Sequence, residues 1–202
     1  RVAGIIRIVE TLSVADIIMI VMLIIQQTIA GIRIKNSNKI LEKKAYIDLQ
    51  TGLPNKSKCE EMLHDYEYIS EPVGFVMFDL NNLKRTNDTY GHAVGDQLIT
   101  NFARLLRNAI PSKDFVGRYG GDEFIAIITQ TTKEEILLIM EEVHSTVKHF
   151  NENIHKVEVS YAYGYAFSED YADCTIKTLF DKADKHMYEN KAIEKAKFET
   201  IV

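Results

Sequence analysis

Two adjacent glycines followed by two adjacent carboxylates form the segment Gly120-Gly121-Asp122-Glu123. The flanking residues, 115–119 and 124–128, are short apolar runs rich in β-branched and aromatic side chains, which predicts a β-hairpin with acids at its turn. Glycine lets the backbone approach a phosphate chain closely, and carboxylates bind Mg²⁺. The pattern therefore indicates a site for a phosphorylated ligand and a divalent cation, although a Gly-Gly-Asp turn alone is also ordinary hairpin chemistry.

A third carboxylate, Asp79, lies at the end of the apolar run 73–80, which predicts a central strand. If the hairpin pairs beside this strand, Asp79, Asp122 and Glu123 converge at one edge of the sheet. Converging carboxylates suit two Mg²⁺ or Mn²⁺ ions, which activate a hydroxyl and hold the phosphoryl group that it attacks. An aspartate at the end of a strand is otherwise a common turn residue.

Three polar residues follow on the helices predicted after that strand. Lys84 lies near a helix N-terminus and could bind phosphate, or it could be a solvated helix lysine. Asp96 could accept hydrogen bonds from the ring N–H and exocyclic amine of guanine, and the Asn87 amide could add a donor and an acceptor. Taken singly, both residues are also explained as helix caps.

After a first helix, the elements that must position these residues follow the order β-α-α-β-β-α-β-α. Helices are predicted at 57–68, 81–88, 96–109, 133–151 and 176–197, and strands at 73–80, 115–119, 124–128 and 157–167. A glycine-containing break at 91–95 separates the second helix from the third. We expect an α+β fold with an antiparallel-centred sheet and helices packed on one face.

An apolar segment precedes these elements. From Val14 to Ile32 the chain is apolar apart from Asp16, Gln26, Gln27 and Thr28, and its length is close to the roughly 20 residues that cross a bilayer. Five basic residues and one acid follow between positions 33 and 44, which favours a cytoplasmic location for that end. We expect 1–34 to end a membrane region, 35–47 to form a linker helix and 48–202 to form the globular domain. A buried or coiled-coil helix is the alternative.

The net charge of −5 over 202 residues argues against a general nucleic-acid binder, and we expect no nucleic-acid partner. The two cysteines, Cys59 and Cys174, match neither a metal-ligand nor a disulfide spacing, so we expect free thiols in a reducing compartment. Because the chain starts with Arg1, we expect further sequence before it.

Four blocks of the sequence together resemble the GGDEF family of diguanylate cyclases. They are residues 48–56, 78–96, 118–124 and 183–191, and the run Arg118-Tyr119-Gly120-Gly121-Asp122-Glu123-Phe124 is the most specific. The resemblance extends from Asp48 nearly to the C-terminus. It implies a fold like the palm of nucleotide cyclases and polymerases, and condensation of two GTP into cyclic di-GMP with release of pyrophosphate.

The resemblance also implies residue roles. Asp79, Asp122 and Glu123 would be catalytic and, with the Leu80 carbonyl, would bind two Mg²⁺ or Mn²⁺ ions per site. The residues implied in GTP binding are Lys84, Asn87, Asp96, Gly120, Gly121, Lys191 and Lys195. Each domain would supply half of the site, so we expect a homodimer. With the apolar segment, this predicts a signalling enzyme at the bacterial inner membrane with a cytoplasmic catalytic domain.

The sequence departs from the family pattern at three places. Asn81 and Asn82 stand where an Asp and an aromatic residue are common, and Lys195 stands where arginine is usual, which removes a bidentate donor for the triphosphate. The product-binding Arg-x-x-Asp is replaced by Pro111-Ser112-Lys113-Asp114, so we expect no strong product inhibition through that site. A catalytically silent module that binds GTP or dimerises is an alternative function. A cyclase for an adenine-containing dinucleotide is another, which Asp96 argues against.

Overall fold

The computed structural model describes residues 13–65, 69–153 and 157–199, and for 38–40, 42–44 and 193–199 it describes the backbone alone. The chain forms two compact units that divide between Lys44 and Ala45. The second unit therefore begins close to Asp48, where the globular domain is predicted to start. The predicted apolar helix and linker helix form one continuous helix, α1, Val14–Tyr46. By length and composition, its 24 residues Val14–Ser37 could cross a membrane.

The second unit contains a sheet of four strands and five further helices among its described residues. In chain order the elements are α2 (Lys56–Asp65), β1 (Val73–Leu80), α3 (Leu83–Tyr90), α4 (His92–Ala109), β2 (Phe115–Arg118), β3 (Glu123–Thr129), α5 (Lys133–Glu152), β4 (Tyr161–Phe167) and α6 (Ile176–Glu199). The strand order is β2-β3-β1-β4, and each neighbouring pair is antiparallel. The predicted α+β fold with an antiparallel sheet is confirmed.

Helices cover both faces of this sheet, so the prediction that they pack on one face is wrong. Along β1, Val76 and Phe78 pack with the Phe102 side of α4 and with α5. The alternate residues Phe75 and Met77 pack with α2 and α6. Successive side chains of a strand point to opposite faces, and every residue of β1 is buried, so each face needs its own covering layer.

Local sequence explains most of the element boundaries. Helix α5 begins with a capping box, in which Thr132 accepts from the Glu135 N–H and the Glu135 carboxylate accepts from the Thr132 N–H. The predicted break at 91–95 shrinks to Gly91, because this glycine adopts φ +84° and α4 starts immediately after it. Strand β4 begins at Tyr161, four residues later than the predicted start at Val157.

Both cysteines are free thiols, as predicted. Burial raises the pKa of the Cys59 thiol to about 12, so this side chain behaves as an apolar core residue between α2 and the sheet. Burial also raises the pKa of the half-buried Cys174 thiol.

Candidate active site at the carboxyl end of strand β1

Two of the predicted site carboxylates are direct cross-strand partners. Asp79 near the end of β1 pairs with Glu123 at the start of β3, and the Leu80 N–H donates to the Asp122 carbonyl oxygen at 2.9 Å. Side chains of directly opposed residues lie about 4.5–5.5 Å apart at Cβ. The convergence of the hairpin acids on Asp79 that the sequence predicts is therefore present in the sheet register.

The acids influence one another electrostatically. Burial raises the pKa of the Glu123 carboxyl, and the negative charges of Asp122, Asp79 and Asp184 raise it further, while Lys191 acts in the opposite direction. Asp184 lies on α6, so three elements bring negative charge to this edge of the sheet. A carboxylate under this influence binds a proton or a cation more readily than an isolated one.

A lysine from α6 already contacts the cluster. The Lys191 Nζ donates to the Asp79 Oδ1 at 2.7 Å, with Asp79 buried and Lys191 half-exposed. The sequence places Lys191 at the triphosphate, and in the structure it neutralises a predicted metal ligand. The side chain of Lys195, one helical turn further along α6, lies outside the described residues.

The donor set at this edge fits a divalent cation chemically. Carboxylate and carbonyl oxygens are the ligands that Mg²⁺ prefers, and Asp79, Asp122, Glu123 and the Leu80 carbonyl supply that type of ligand. Within the described residues, no three His, Cys, Asp or Glu side chains are close enough to form a complete metal cage. Mg²⁺ usually keeps several waters and bonds to substrate phosphates, so a protein needs to supply only part of its coordination shell.

Arg118 fixes the glycine turn. Its Nε donates to the Gly120 carbonyl at 3.1 Å and its NH2 donates to the Gly121 carbonyl at 2.8 Å. The NH1 group of the same guanidinium donates to both carboxylate oxygens of Asp48, at 3.1 and 3.2 Å. The turn that presents Asp122 and Glu123 is therefore tied to the segment where the globular domain begins.

Asn87 presents an unsatisfied acceptor. Its Oδ1 is buried, and it is one of two such side-chain oxygens without a hydrogen-bond partner among the residues that the structure describes. Gly95 on α4 lies against it, since a Cβ at position 95 would overlap the Asn87 Oδ1 and approach the Leu83 side chain at 3.2 Å. An unpaired buried acceptor costs about 1–3 kcal/mol.

The remaining predicted site residues lie on α3, on α4 and in the glycine turn between β2 and β3. Lys84 is exposed in the first turn of α3, Asp96 is exposed within α4, Gly121 is exposed and Gly120 is half-buried. Asn87 and Asp96 lie inside helices, so the alternative explanation of both as helix caps is wrong. The edge of the sheet at Asp79 thus combines several acids with the amino group of Lys191.

Comparison with known proteins identifies the family. The sequence model described as "Diguanylate cyclase, GGDEF domain" matches residues 45–197. The chain belongs to the GGDEF family. This GGDEF chain is 29% identical over 173 residues to "Diguanylate cyclase A" of Treponema denticola, covering 81% of this chain and 46% of that protein.

Two further proteins are similar to the GGDEF chain over most of its length. An "Uncharacterized membrane protein" of Staphylococcus saprophyticus is 28% identical over 172 residues, which cover 80% of this chain and 48% of that protein. The coiled coil and GGDEF domain of DgcB from Caulobacter crescentus, solved in complex with c-di-GMP, matches with a TM-score of 0.76 at 20% identity, over 86% of this chain and 94% of that one. The chain spans about half the length of these curated relatives.

Sequence reasoning missed several residues that build this GGDEF site. The family blocks 48–56, 118–124 and 183–191 contain Asp48, Gln50, Arg118 and Asp184, but the sequence predicted no role for any of these four residues. Arg118 and Asp48 are 70 positions apart in sequence, so spacing alone carries no signal of their ion pair. The available signal was chemical, because an arginine directly before a glycine turn can donate to the turn's carbonyl groups.

Proposed function

We propose that this chain is a diguanylate cyclase that condenses two GTP into cyclic di-GMP and pyrophosphate. The observation that carries the proposal is the cross-strand pairing of Asp79 with Glu123 beside Asp122, in a chain of the GGDEF family. The arrangement gathers acidic oxygens at one sheet edge, and the buried Asn87 Oδ1 on α3 has no hydrogen-bond partner. This combination suits a nucleotide triphosphate that arrives with a divalent cation.

Asp79, Asp122, Glu123 and the Leu80 carbonyl would hold the two Mg²⁺ or Mn²⁺ ions. When bound, such ions lower the pKa of a coordinated hydroxyl and stabilise negative charge that develops on the phosphoryl group. The protein's own contribution is to fix the two strands in register and to keep the turn closed through Arg118.

The proposed reaction has two equivalent steps. The 3′-oxygen of one GTP forms a bond to the α-phosphorus of the other, and the bond from that phosphorus to the pyrophosphate oxygen breaks. Repeating the step in the opposite direction closes the ring and releases a second pyrophosphate. Glu123 is the candidate acceptor of the 3′-hydroxyl proton, because burial and the neighbouring acids raise its pKa and thus its proton affinity.

The other residues bind and orient GTP. Lys191 and Lys84 would contact the triphosphate, and Gly120 and Gly121 would pass close to the nucleotide. Asn87 and Asp96 would read guanine, with Asn87 Oδ1 accepting from the base and the Asp96 carboxylate accepting from N1–H and N2–H. Each domain would hold one GTP, so two chains must face each other for catalysis.

We further propose that α1 tethers the enzyme to the inner membrane. The helical stretch Val14–Ser37 has sufficient length, and basic residues begin at Arg33, near its C-terminal end, and continue beyond it. The positive end would face the cytoplasm, where GTP is available. Membrane fractionation tests this: release of the full chain by high salt without detergent would contradict it.

The activity is tested with the full chain in detergent, incubated with GTP and Mg²⁺ and analysed by mass spectrometry. We expect cyclic di-GMP and two pyrophosphates per product from the wild type, and at least about a hundredfold less from Asp79→Ala. Circular dichroism should show that the variant is folded. A wild type that binds GTP without turnover would support the catalytically silent alternative, and an adenine-containing product would contradict the guanine assignment.

A further inference from the structure

Gln50 joins the proposed guanine reader to the glycine turn. Its Oε1 accepts from Arg118 NH1 at 2.7 Å. Its Nε2 donates to the Asp96 Oδ1 at 2.9 Å and to the Asp96 carbonyl oxygen at 3.3 Å. The same arginine holds the carbonyls of Gly120 and Gly121, so a continuous set of hydrogen bonds runs from Asp96 to the turn that carries Asp122.

The chemistry of the partners allows one orientation of the Gln50 amide. A guanidinium only donates hydrogen bonds, whereas a carboxylate and a carbonyl only accept them. The amide oxygen must therefore face Arg118, and the amide nitrogen must face Asp96. Glutamate would keep the acceptor for Arg118 but would place a second carboxylate against Asp96. Leucine would lose both contacts.

This contact bears on the orientation of an exposed carboxylate. Asp96 lies on the solvent-facing side of α4, where its side chain would otherwise sample several rotamers. The hydrogen bond from Gln50 occupies one lone pair of Oδ1 and leaves Oδ2 and the second lone pair of Oδ1 available. Two adjacent donors, such as N1–H and N2–H of guanine, need both oxygens at a fixed angle.

We propose that Gln50 is a positioning residue that sets guanine specificity by orienting the Asp96 carboxylate and linking it to Arg118. The inference rests on the proposed function, in that Asp96 reads guanine. Orienting the carboxylate before the nucleotide arrives reduces the rotamer entropy lost on binding.

The test compares two nucleotides that differ only in one of the two donor groups that Asp96 would read. Inosine lacks the exocyclic amine of guanine. Calorimetry on the full chain in detergent therefore uses the α,β-methylene analogues of GTP and ITP. In these analogues a carbon replaces the oxygen between the α and β phosphorus atoms, so pyrophosphate cannot be released. The measured quantity is the ratio of the two dissociation constants, which requires no turnover.

We expect Gln50→Glu to lower the preference for the guanine analogue by about threefold to tenfold, since the loss of one oriented hydrogen bond has an effect of this order. Gln97→Glu is the matched control, because it adds the same charge beside Asp96 from an exposed position on α4. That control should change both affinities equally. In an Asp96→Ser background, Gln50→Glu should no longer change the ratio, as a double-mutant cycle requires for coupled residues.

Several outcomes would overturn the inference. A wild-type ratio in both Gln50→Glu and Gln50→Leu, with a lowered melting temperature, would assign Gln50 a purely structural role. If Gln50→Glu lowers the preference for the guanine analogue as much in the Asp96→Ser background as in wild type, Gln50 does not act through Asp96. If wild type makes cyclic di-GMP while the ratio is insensitive to Gln50, the proposed function stands and this inference fails. If wild type binds neither analogue, both proposals fail.

Discussion

The Nζ of Lys191 lies 2.7 Å from Oδ1 of Asp79, so a basic side chain contacts the carboxylate that the proposed mechanism assigns to a metal ion. The contact joins α6 to the end of β1 and neutralises an acid that is buried and surrounded by other acids. A buried carboxylate without a cation is costly, which explains the pairing. The proposed role of Lys191 at the triphosphate therefore requires it to exchange Asp79 for the phosphate anion when GTP binds.

The first prediction follows from this exchange. In Lys191→Met, nucleotide-free protein should bind Mn²⁺ about twofold to fivefold more tightly, because the partly exposed ammonium no longer competes for Asp79. The KM for GTP should rise, because a cation for the triphosphate is lost. Mn²⁺ titration followed by electron paramagnetic resonance and GTP kinetics measure the two effects. Lys185→Met is the control, since Lys185 pairs with Glu189 on the same helix. Weaker Mn²⁺ binding by Lys191→Met would contradict the exchange.

The second prediction concerns Gly95. In Gly95→Ala the new Cβ would overlap the Asn87 Oδ1, so the Asn87 side chain must rotate away from its present position. GTP affinity should fall about tenfold, because the buried acceptor no longer faces the base. Alanine in place of glycine favours the helix by about 1 kcal/mol, which offsets the cost of displacing Asn87, so the melting temperature should change little.

Calorimetry with the α,β-methylene analogue of GTP gives the affinity, and thermal unfolding gives the stability. Gln97→Ala, on the exposed side of the same helix, is the control that should leave affinity unchanged. An affinity loss that simply follows a fall in melting temperature would point to misfolding rather than to Asn87.

The third prediction is a pH dependence at Asp48. Burial tends to raise the pKa of this carboxyl, but hydrogen bonds from Thr51 and the contact with Arg118 together lower it below its ordinary value of 3.8. A depressed pKa contributes stability above the unfolded-state value, and that contribution is lost as the pH falls through the folded-state value.

Asp48→Asn should therefore be less stable than wild type at pH 7, and the difference should shrink as the pH falls below about 4. Asparagine can still accept from the Thr51 N–H, so the variant removes the charge and one of the two oxygens that accept from Arg118. Thermal unfolding of the detergent-solubilised chain at several pH values measures the effect, with the exposed Asp88→Asn as control. A constant difference across the whole range would exclude the ionic contribution.

The sequence alone predicted some of the features on which these predictions depend, and it did not predict others. The bounds of β1 were predicted correctly, because Val73–Leu80 is a continuous apolar run between Pro72 and two asparagines. From Val73 to Phe78 the run is apolar at every position, which requires a covering layer on each face, yet the one-face arrangement was predicted. The pairing of Asp79 with Glu123 followed from the hairpin, since a strand order with β3 beside β1 places the two acids together.

The contacts that complete the site were beyond sequence reasoning. Gln50 and Arg118 are 68 positions apart, and Gln50 and Asp96 are 46 apart, so no periodicity of a helix or strand relates them. They meet because the segment before α2 returns to the sheet, where the Arg118 N–H donates to the Pro54 carbonyl at 2.8 Å. Such a return depends on tertiary packing, which local propensity does not determine.

The fourth prediction is that this chain lacks a tight product-binding site before β2. Pro111 has neither charge nor an N–H donor at the position where the family pattern has an arginine. The Lys113 Nζ donates to the Thr129 carbonyl at 3.4 Å, and the buried Asp114 accepts from the Thr129 N–H at 3.1 Å, so both contact the end of β3. An acid without a neighbouring arginine repels a doubly anionic product.

Calorimetry on Asp79→Ala with cyclic di-GMP should show no saturable binding at low micromolar concentration. Pro111→Arg in the same background restores a guanidinium three positions before Asp114, and it should gain measurable binding because arginine can form paired hydrogen bonds with phosphate. Tight binding of two product molecules per domain without that substitution would contradict the prediction. It would place an arginine-independent product site elsewhere on the domain, and wild-type progress curves would then slow before GTP is exhausted.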